Sequence, residues 1–303
     1  MAAEETIRRG RRRLRLTHLD RVFWPEEGLT KGDLLDYYRE VAPVLLPHLR
    51  NRPFTIKRHF TVPRGPFEWV KDAPPELPEW VKTCPQPARS RGGASVHYPL
   101  VNDELSLLAV VEYGAVDLHV WPSRCDRPER PDYVIFDLDP SGGVGVAEAA
   151  RAALLVRGAT RAMGLDSVVR TSGAAGLHVL VPIERRHRHD EARAFARVVA
   201  AALARTSPDL VTLERVKARR RGVYVDAKMN GHGQQFVASY SVRPLPGAPV
   251  AAPLRWEELT ADLDPGEFTI DVVLDRVHEY GDLHERLLRG RQRLDRALGR
   301  VSS

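Results

Sequence analysis

YVIFDLD, residues 133–139, is the stretch whose reading decides the fold. β-branched and aromatic residues fill it, and Pro140 with Ser141-Gly142-Gly143 is expected to end it. Alternation along a strand puts Tyr133, Ile135, Asp137 and Asp139 on one face and Val134, Phe136 and Leu138 on the other. One face is therefore apolar, and the other turns acidic at its end. The two carboxylates are roughly 7 Å apart along the strand, within reach of one shared site. Two acids so placed repel, and their burial is costly unless a cation lies between them. Hard oxygen ligands suit Mg²⁺ or Mn²⁺. A bare Asp-x-Asp is equally compatible with a turn cap beside an acid paired to arginine. A third carboxylate favours the metal reading. In VYVD (223–226), Tyr224 and Asp226 share a face, and the acid again closes the strand.

Outward from this centre the pattern is mixed. Alanine-rich helices are expected over 146–163 and 190–206, the second capped by Asp190 and followed by Pro208. Between them VVRTS (168–172) and LHVLVPI (177–183) read as strands joined by a tight glycine turn, Ser172-Gly173-Ala174-Ala175-Gly176. Such a turn offers N–H groups and the Ser172 hydroxyl to an anion, although an ordinary hairpin needs nothing more. His178 falls on the face opposite Leu177, Val179 and Val181. SGGVG (141–145) lacks the spacing of a dinucleotide-binding loop.

Toward the N-terminus, 107–121 reads as buried and contains His119. The proline-rich stretch 62–87, with Phe67, Trp69 and Trp80, reads as a long surface loop. In FTIKRHF (54–60) alternation sends Lys57 and His59 one way and Arg58 the other. Residues 31–46 have helical spacing, and 251–285 reads as loops and short helices. The architecture expected is α/β, more narrowly α+β.

The chain has 303 residues, 43% of them hydrophobic, enough for one large core or two joined lobes. Its net charge of +6 is local. Residues 1–15 carry six arginines and two glutamates and read as a flexible basic tail. A second basic cluster is ERVKARRR (214–221), and arginines recur at helical spacing over 286–300. No stretch approaches a membrane span, and no apolar segment follows the first arginines, so neither an anchor nor a signal peptide is expected. Cys84 and Cys125 fit reduced thiols of a cytoplasmic protein, with room for one disulfide.

Taken in order, LTHLDRVFWPEEGLTKGDLLDYYREVAP, RPDYVIFDLDP, RTSGAAGLHVLVP, VYVDAKMNG and SYSVRPLPGAPVAAPLRWEEL make the chain resemble the polymerase/primase domain of bacterial ligase D, within the archaeo-eukaryotic primase superfamily. The resemblance covers roughly residues 14–285. It implies a primase-like core with an RRM-like antiparallel sheet and a flanking N-terminal lobe. The resulting layout is one domain over 16–303, with a lobe at about 16–125, a core at about 126–250 and an extension at about 251–303. The implied activity is template-directed nucleotide addition to DNA ends or gaps in bacterial non-homologous end joining, with Mn²⁺ favoured and ribonucleotides often preferred.

Residue by residue, Asp137, Asp139 and Asp226 are implied as catalytic metal ligands. Lys57, His119, Ser172, Gly173, His178 and Arg243 are implied to contact an NTP or dNTP. His18, Arg21 and Lys31 match the grip on a 5′-phosphorylated DNA end, and Arg58 and Trp69 lie near template-contacting positions. Implied partners are a separate DNA ligase, because no lysine-x-aspartate-glycine motif occurs, and an end-binding protein (Ku). The implied location is cytoplasmic and nucleoid-associated.

Three positions depart from the pattern by losing a cation: Ala175, Met229 and Leu245. Those losses motivate one alternative, a catalytically weak or inactive DNA-end binding module. A phosphatase using Asp137 as nucleophile is another, poorly matched by Pro140-Ser141.

Overall fold

The computed structural model describes residues 3–87, 94–290, 292–295 and 299. Arg291, Arg296 and Arg300 of the C-terminal arginine pattern lie outside the described residues.

The expected basic tail is folded. β1 (Glu5–Arg9) and β2 (Arg12–Leu16) pair antiparallel. Alternation explains it: Ile7, Leu14 and Leu16 turn inward and are buried, while the intervening arginines point out. Arg12 reaches Asp103 at 2.7 Å, and Arg15 reaches Glu4 at 2.7 Å. After β3 (Val22–Trp24) and β4 (Leu29–Thr30) comes α1 (Lys31–Leu49). A capping box starts it: Asp33 N donates to Thr30 Oγ1 at 3.2 Å, and Thr30 N donates to Asp33 Oδ2 at 2.7 Å. The helix runs past the expected end at 46 and contains Pro43 and Pro47.

The proline-rich stretch is not all loop. β5 (Phe54–His59) pairs with β6 (Phe67–Val70), which puts Trp69 on an edge strand, and β7 (Thr83–Pro87) pairs with β8 (Ser95–Pro99). Prolines are tolerated there because these strands are short and lie at edges. Cys84 and Cys125, expected as free thiols, form a disulfide within a small cluster of Val96, Tyr98, Leu100 and Trp121. α2 (Glu104–Tyr113) and β9 (Ala115–Val120) complete the lobe.

The centre follows in chain order as β10 (Tyr133–Ser141), α3 (Val146–Ala162), β11 (Val168–Thr171), β12 (Leu177–Pro182), α4 (His189–Thr206), β13 (Val211–Thr212) and β14 (Gly222–Asp226). β15 (Phe236–Val237), β16 (Pro253–Leu254), α5 (Ile270–Tyr280) and α6 (Arg286–Arg289) end the chain's regular structure among the described residues. A six-stranded sheet has the order β13-β14-β10-β12-β11-β16, antiparallel except for the β13–β14 pair. The α+β expectation is met. β10 runs through Pro140, where it was expected to stop; only β14 lies alongside there, so one edge is open at the proline. α3 and α4 cover the apolar face, where Phe136 meets Phe195 edge-on at 6.2 Å. α4 begins one residue before Asp190; the box at its start is made by Glu191, which accepts from Arg188 N at 2.7 Å.

A second sheet has the order β15-β9-β5-β6. β15 follows β14 in sequence, so the chain crosses back to pair with β9. Buried Arg52 also ties the lobe to the segment before β10, donating to both oxygens of Asp132 at 2.7 Å. Among the described residues no helix is long and apolar enough to cross a membrane.

If residues 12–16 are part of the core, Leu16→Ala lowers unfolding stability by about 2–5 kcal/mol. Urea titration measures it; a flexible tail would show no change.

Candidate active site

Register, not sequence spacing, assembles the acids. On β10 Asp137 lies directly opposite Asp226 of β14, while on its other side it faces His178 of β12. Directly opposed residues of an antiparallel pair share a face with Cβ atoms roughly 5 Å apart. Asp139, two residues on, shares that face. Asp226 Oδ1 accepts from Lys228 N at 2.7 Å, which turns the chain away after the acid. Among the described residues no three His, Cys, Asp or Glu side chains are drawn close enough to cage an ion as they stand. The acids feel one another all the same. Burial, then Asp137 and Asp226, push the Asp139 carboxyl up to about 6, against the pull of Arg220. Arg220 Nη1 lies 3.7 Å from Asp139 Oδ2, and its guanidinium stacks 3.8 Å from the centre of the Tyr224 ring.

The glycine turn is built as an anion-shaped bend. Ser172 Oγ accepts from Ala174 N and Gly176 N, each at 3.2 Å. Gly173 has φ +68°, and a Cβ at Gly176 would come within 2.6 Å of Leu138 O, so both positions need glycine. Arg243 Nη1 donates to Ser172 O and so lies over the turn. Ala175 is exposed at its tip.

Behind the turn, Arg170 Nε donates to His178 Nδ1 at 3.2 Å, and His178 Nε2 lies 3.3 Å from Asp137 Oδ1. With Nδ1 accepting, the proton of the neutral imidazole sits on Nε2 and points at the carboxylate. Burial holds His178 below the usual histidine range, with Asp137 opposing. Burial also pulls Arg170 down to about 10, still a cation at neutral pH.

Fully buried Asp117 was not singled out from the sequence, yet it organises the basic side of the site. Its carboxylate receives Lys57 Nζ at 3.1 Å, His59 Nε2 at 2.9 Å and His119 Nε2 at 3.0 Å, with Arg243 Nε at 3.7 Å. Burial would raise its pKa; hydrogen bonds from His119 and His59 and the charge of Lys57 hold it well below the usual range instead. One carboxylate cannot neutralise both Lys57 and Arg243, so positive charge remains on this shelf. The alternation that paired Lys57 with His59 could have flagged the shelf. Asp117 itself carried no signal in an apolar run.

The strand pair β5–β6 extends the shelf with aromatic rings. Register places Trp69 beside Lys57 and Phe67 beside His59. Trp69 lies 4.9 Å edge-on to His119, and Phe60, Phe67 and Trp69 are all exposed. Arg58 points away, 4.4 Å over the Tyr113 ring. Of the expected end-binding residues, His18 and Arg21 are exposed. Lys31 is buried and engaged, at 2.8 Å from Glu112 and 2.9 Å from Thr17 O.

The raised Asp139 value carries a sign. The native fold holds that proton between the ordinary 3.8 and about 6, where the unfolded chain releases it. Stability therefore falls as pH rises through that window. In metal-free buffer, Asp139→Asn unfolds at higher urea than the parent near neutral pH, and the gap closes as the pH drops below the ordinary aspartate value. Equal midpoints throughout would contradict it.

Three comparisons bear on this geometry. The family model for the LigD primase-polymerase domain matches residues 30–284. The multifunctional non-homologous end joining protein LigD of Mycolicibacterium smegmatis is 34% identical over 277 residues, 89% of this chain and 35% of that protein. The bifunctional LigD of Bacillus subtilis is 30% identical over 271 residues, 89% of this chain and 43% of that protein. The chain thus spans well under half the length of these relatives. Among solved structures, the polymerase domain of Mycobacterium tuberculosis ligase D in complex with DNA superposes with a TM-score of 0.84 at 32% identity, covering 91% of this chain and 98% of that one. By sequence over most of its length and by architecture, this chain belongs to the LigD primase-polymerase domain family.

Proposed function

We propose that the chain is a metal-dependent nucleotidyl transferase that extends DNA ends or gaps under template direction. The observation that carries the reading is the shared face of Asp137, Asp139 and Asp226 beside the Asp117-anchored shelf of Lys57, His119 and Arg243. The relatives' names tie them to end joining, and the solved neighbour is bound to DNA. The reading also takes the chain, its N-terminal hairpin included, as one polymerase domain working beside a ligase and an end-binding protein of the Ku type near the nucleoid.

The three acids fit a divalent ion by donor chemistry. They offer only hard oxygens, and the elevated Asp139 value reflects burial first and then the charges of Asp137 and Asp226, both of which a cation offsets. Bound Mn²⁺ or Mg²⁺ would activate the primer 3′-hydroxyl and stabilise the departing pyrophosphate. The protein's own residues do the rest. The Ser172–Gly176 turn and Arg243 take the triphosphate, aided by Lys57 and His119. His178 holds the Asp137 carboxylate by its Nε2 proton, and Arg170 fixes that tautomer. Trp69 and Phe67 offer faces for template bases, and Arg58, on the opposite face of β5, offers a cation to the template backbone. His18 and Arg21 present donors to a 5′-phosphate, with Lys31 bracing their turn through the Thr17 carbonyl.

Primer extension on a gapped, 5′-phosphorylated duplex tests this, comparing ribo- and deoxyribonucleotides with Mg²⁺ and with Mn²⁺. Asp137→Ala should lose activity by about a hundredfold or more. Ala175→Lys should lower the apparent KM for nucleotide by about tenfold by adding a charge-assisted contact. Undiminished extension by Asp137→Ala with Mn²⁺ would sink the metal reading. Tight binding of the gapped duplex by the parent chain, without incorporation under either metal, would favour the non-catalytic end-binding module.

A further inference from the structure

A groove of about 420 Å³ lies between α4 and the segment around β13 and β14. Arg197 and Val198 line it from the helix, and Leu213, Arg215, Asp226 and Lys228 line it from the other side. Val198 and Leu213 are exposed apolar side chains at 37% and 42%. Around them, Arg197, Arg215 and Lys228 are exposed and make no ion pair among the described residues. Lys217, Arg219 and Arg221, which follow Arg215 in the basic run, are exposed as well. β13 is two residues long and pairs only as far as Tyr224 of β14. Beyond that pair no strand of the described residues lies on that edge of β14, where Val225, Asp226 and Lys228 line the groove.

We propose that this groove holds the strand whose 3′ end is extended. The inference rests on the polymerase reading above and names a surface that reading leaves open. One acid, Asp226, lines the groove, and it would repel a phosphate or a peptide carboxylate placed against it. A strand's 3′-terminal hydroxyl is neutral, and the phosphates behind it are set back along the chain. A neutral terminus followed by charges matches a groove lined by one acid and by cations that make no ion pair among the described residues. The exposed Val198 and Leu213 give sugars and bases an apolar floor. The template has its own aromatic shelf on β5–β6, so the two strands need not compete.

The test is charge reversal at Arg197 and Arg215, separately and together; both are exposed and neither belongs to the acids or to the triphosphate shelf. Binding of a fluorescein-labelled single-stranded oligonucleotide, without metal or nucleotide, is followed by anisotropy across a salt series. The double variant should bind at least about tenfold more weakly, and its salt slope should fall by about 1.4, the value for two lost phosphate contacts on a single strand. In extension assays its KM for primer should rise, while kcat at saturating primer and KM for nucleotide stay within about twofold. Arg197→Gln, with one unit of charge change, should give a smaller shift in the same direction and guards against a folding defect. Unchanged affinity and salt slope overturn the groove assignment even if the protein extends primers normally. A parent chain that never extends a primer overturns the polymerase reading, while the binding arm still decides the groove.

Discussion

The site hangs on the register of β10 with its two neighbours. That register sets Asp137 opposite Asp226 and beside His178. Like charges directly opposed cost a sheet a few tenths to about 1 kcal/mol. The same strand buries Val134, Phe136 and Leu138 completely on its other face. Each such side chain contributes about 1.5–3 kcal/mol on leaving water. The apolar face therefore wins, and the acids are held where electrostatics alone would not put them. A one-residue slip would invert both faces at once, exposing the core and burying the acids.

The second constraint is a charge taken fully out of water. Asp117 could not stay ionised there without partners, and its partners come from separate parts of the chain: Lys57 and His59 on β5, His119 on β9, and Arg243 after β15. Satisfying one buried carboxylate thus brings β5, β9 and the segment after β15 together. Arg170 plays the complementary part. It is a buried cation with no carboxylate partner among the described residues, satisfied by His178, by the Ser239 hydroxyl at 3.2 Å and by the carbonyl of Val237. Ser239 in turn meets His284 Nδ1 at 2.8 Å, and His284 Nε2 donates to Val169 O at 3.0 Å. A continuous polar chain therefore runs from the acidic face to the C-terminal segment.

Elements with strong local patterns were legible. The strands 133–139, 168–172, 177–183 and 223–226, and both alanine-rich helices, lie within a residue or two of where periodicity puts them. The failures share a cause. The N-terminal hairpin was hidden by its arginines, because counting charge ignored the alternation of Leu14 and Leu16. β6 was hidden because an edge strand of four residues among prolines is defined by its partner rather than by its composition. The Cys84–Cys125 bridge spans 41 residues of sequence, a proximity that no local pattern carries.

The candidate site divides in the same way. Alternation is a property of adjacent residues, so the order of amino acids was enough to decide which acids share a face with their strand neighbours and that His178 turns from the core. It could not decide which strands lie side by side, because pairing is settled by burying the most apolar surface across the whole chain. Only the folded structure put Asp226 against Asp137, made Asp117 the anchor of the basic shelf, brought Arg220 to Asp139, and turned Lys31 inward onto Glu112. Each of those is a long-range contact: apolar burial behind β10 holds the two acids together, and in the others charges find partners.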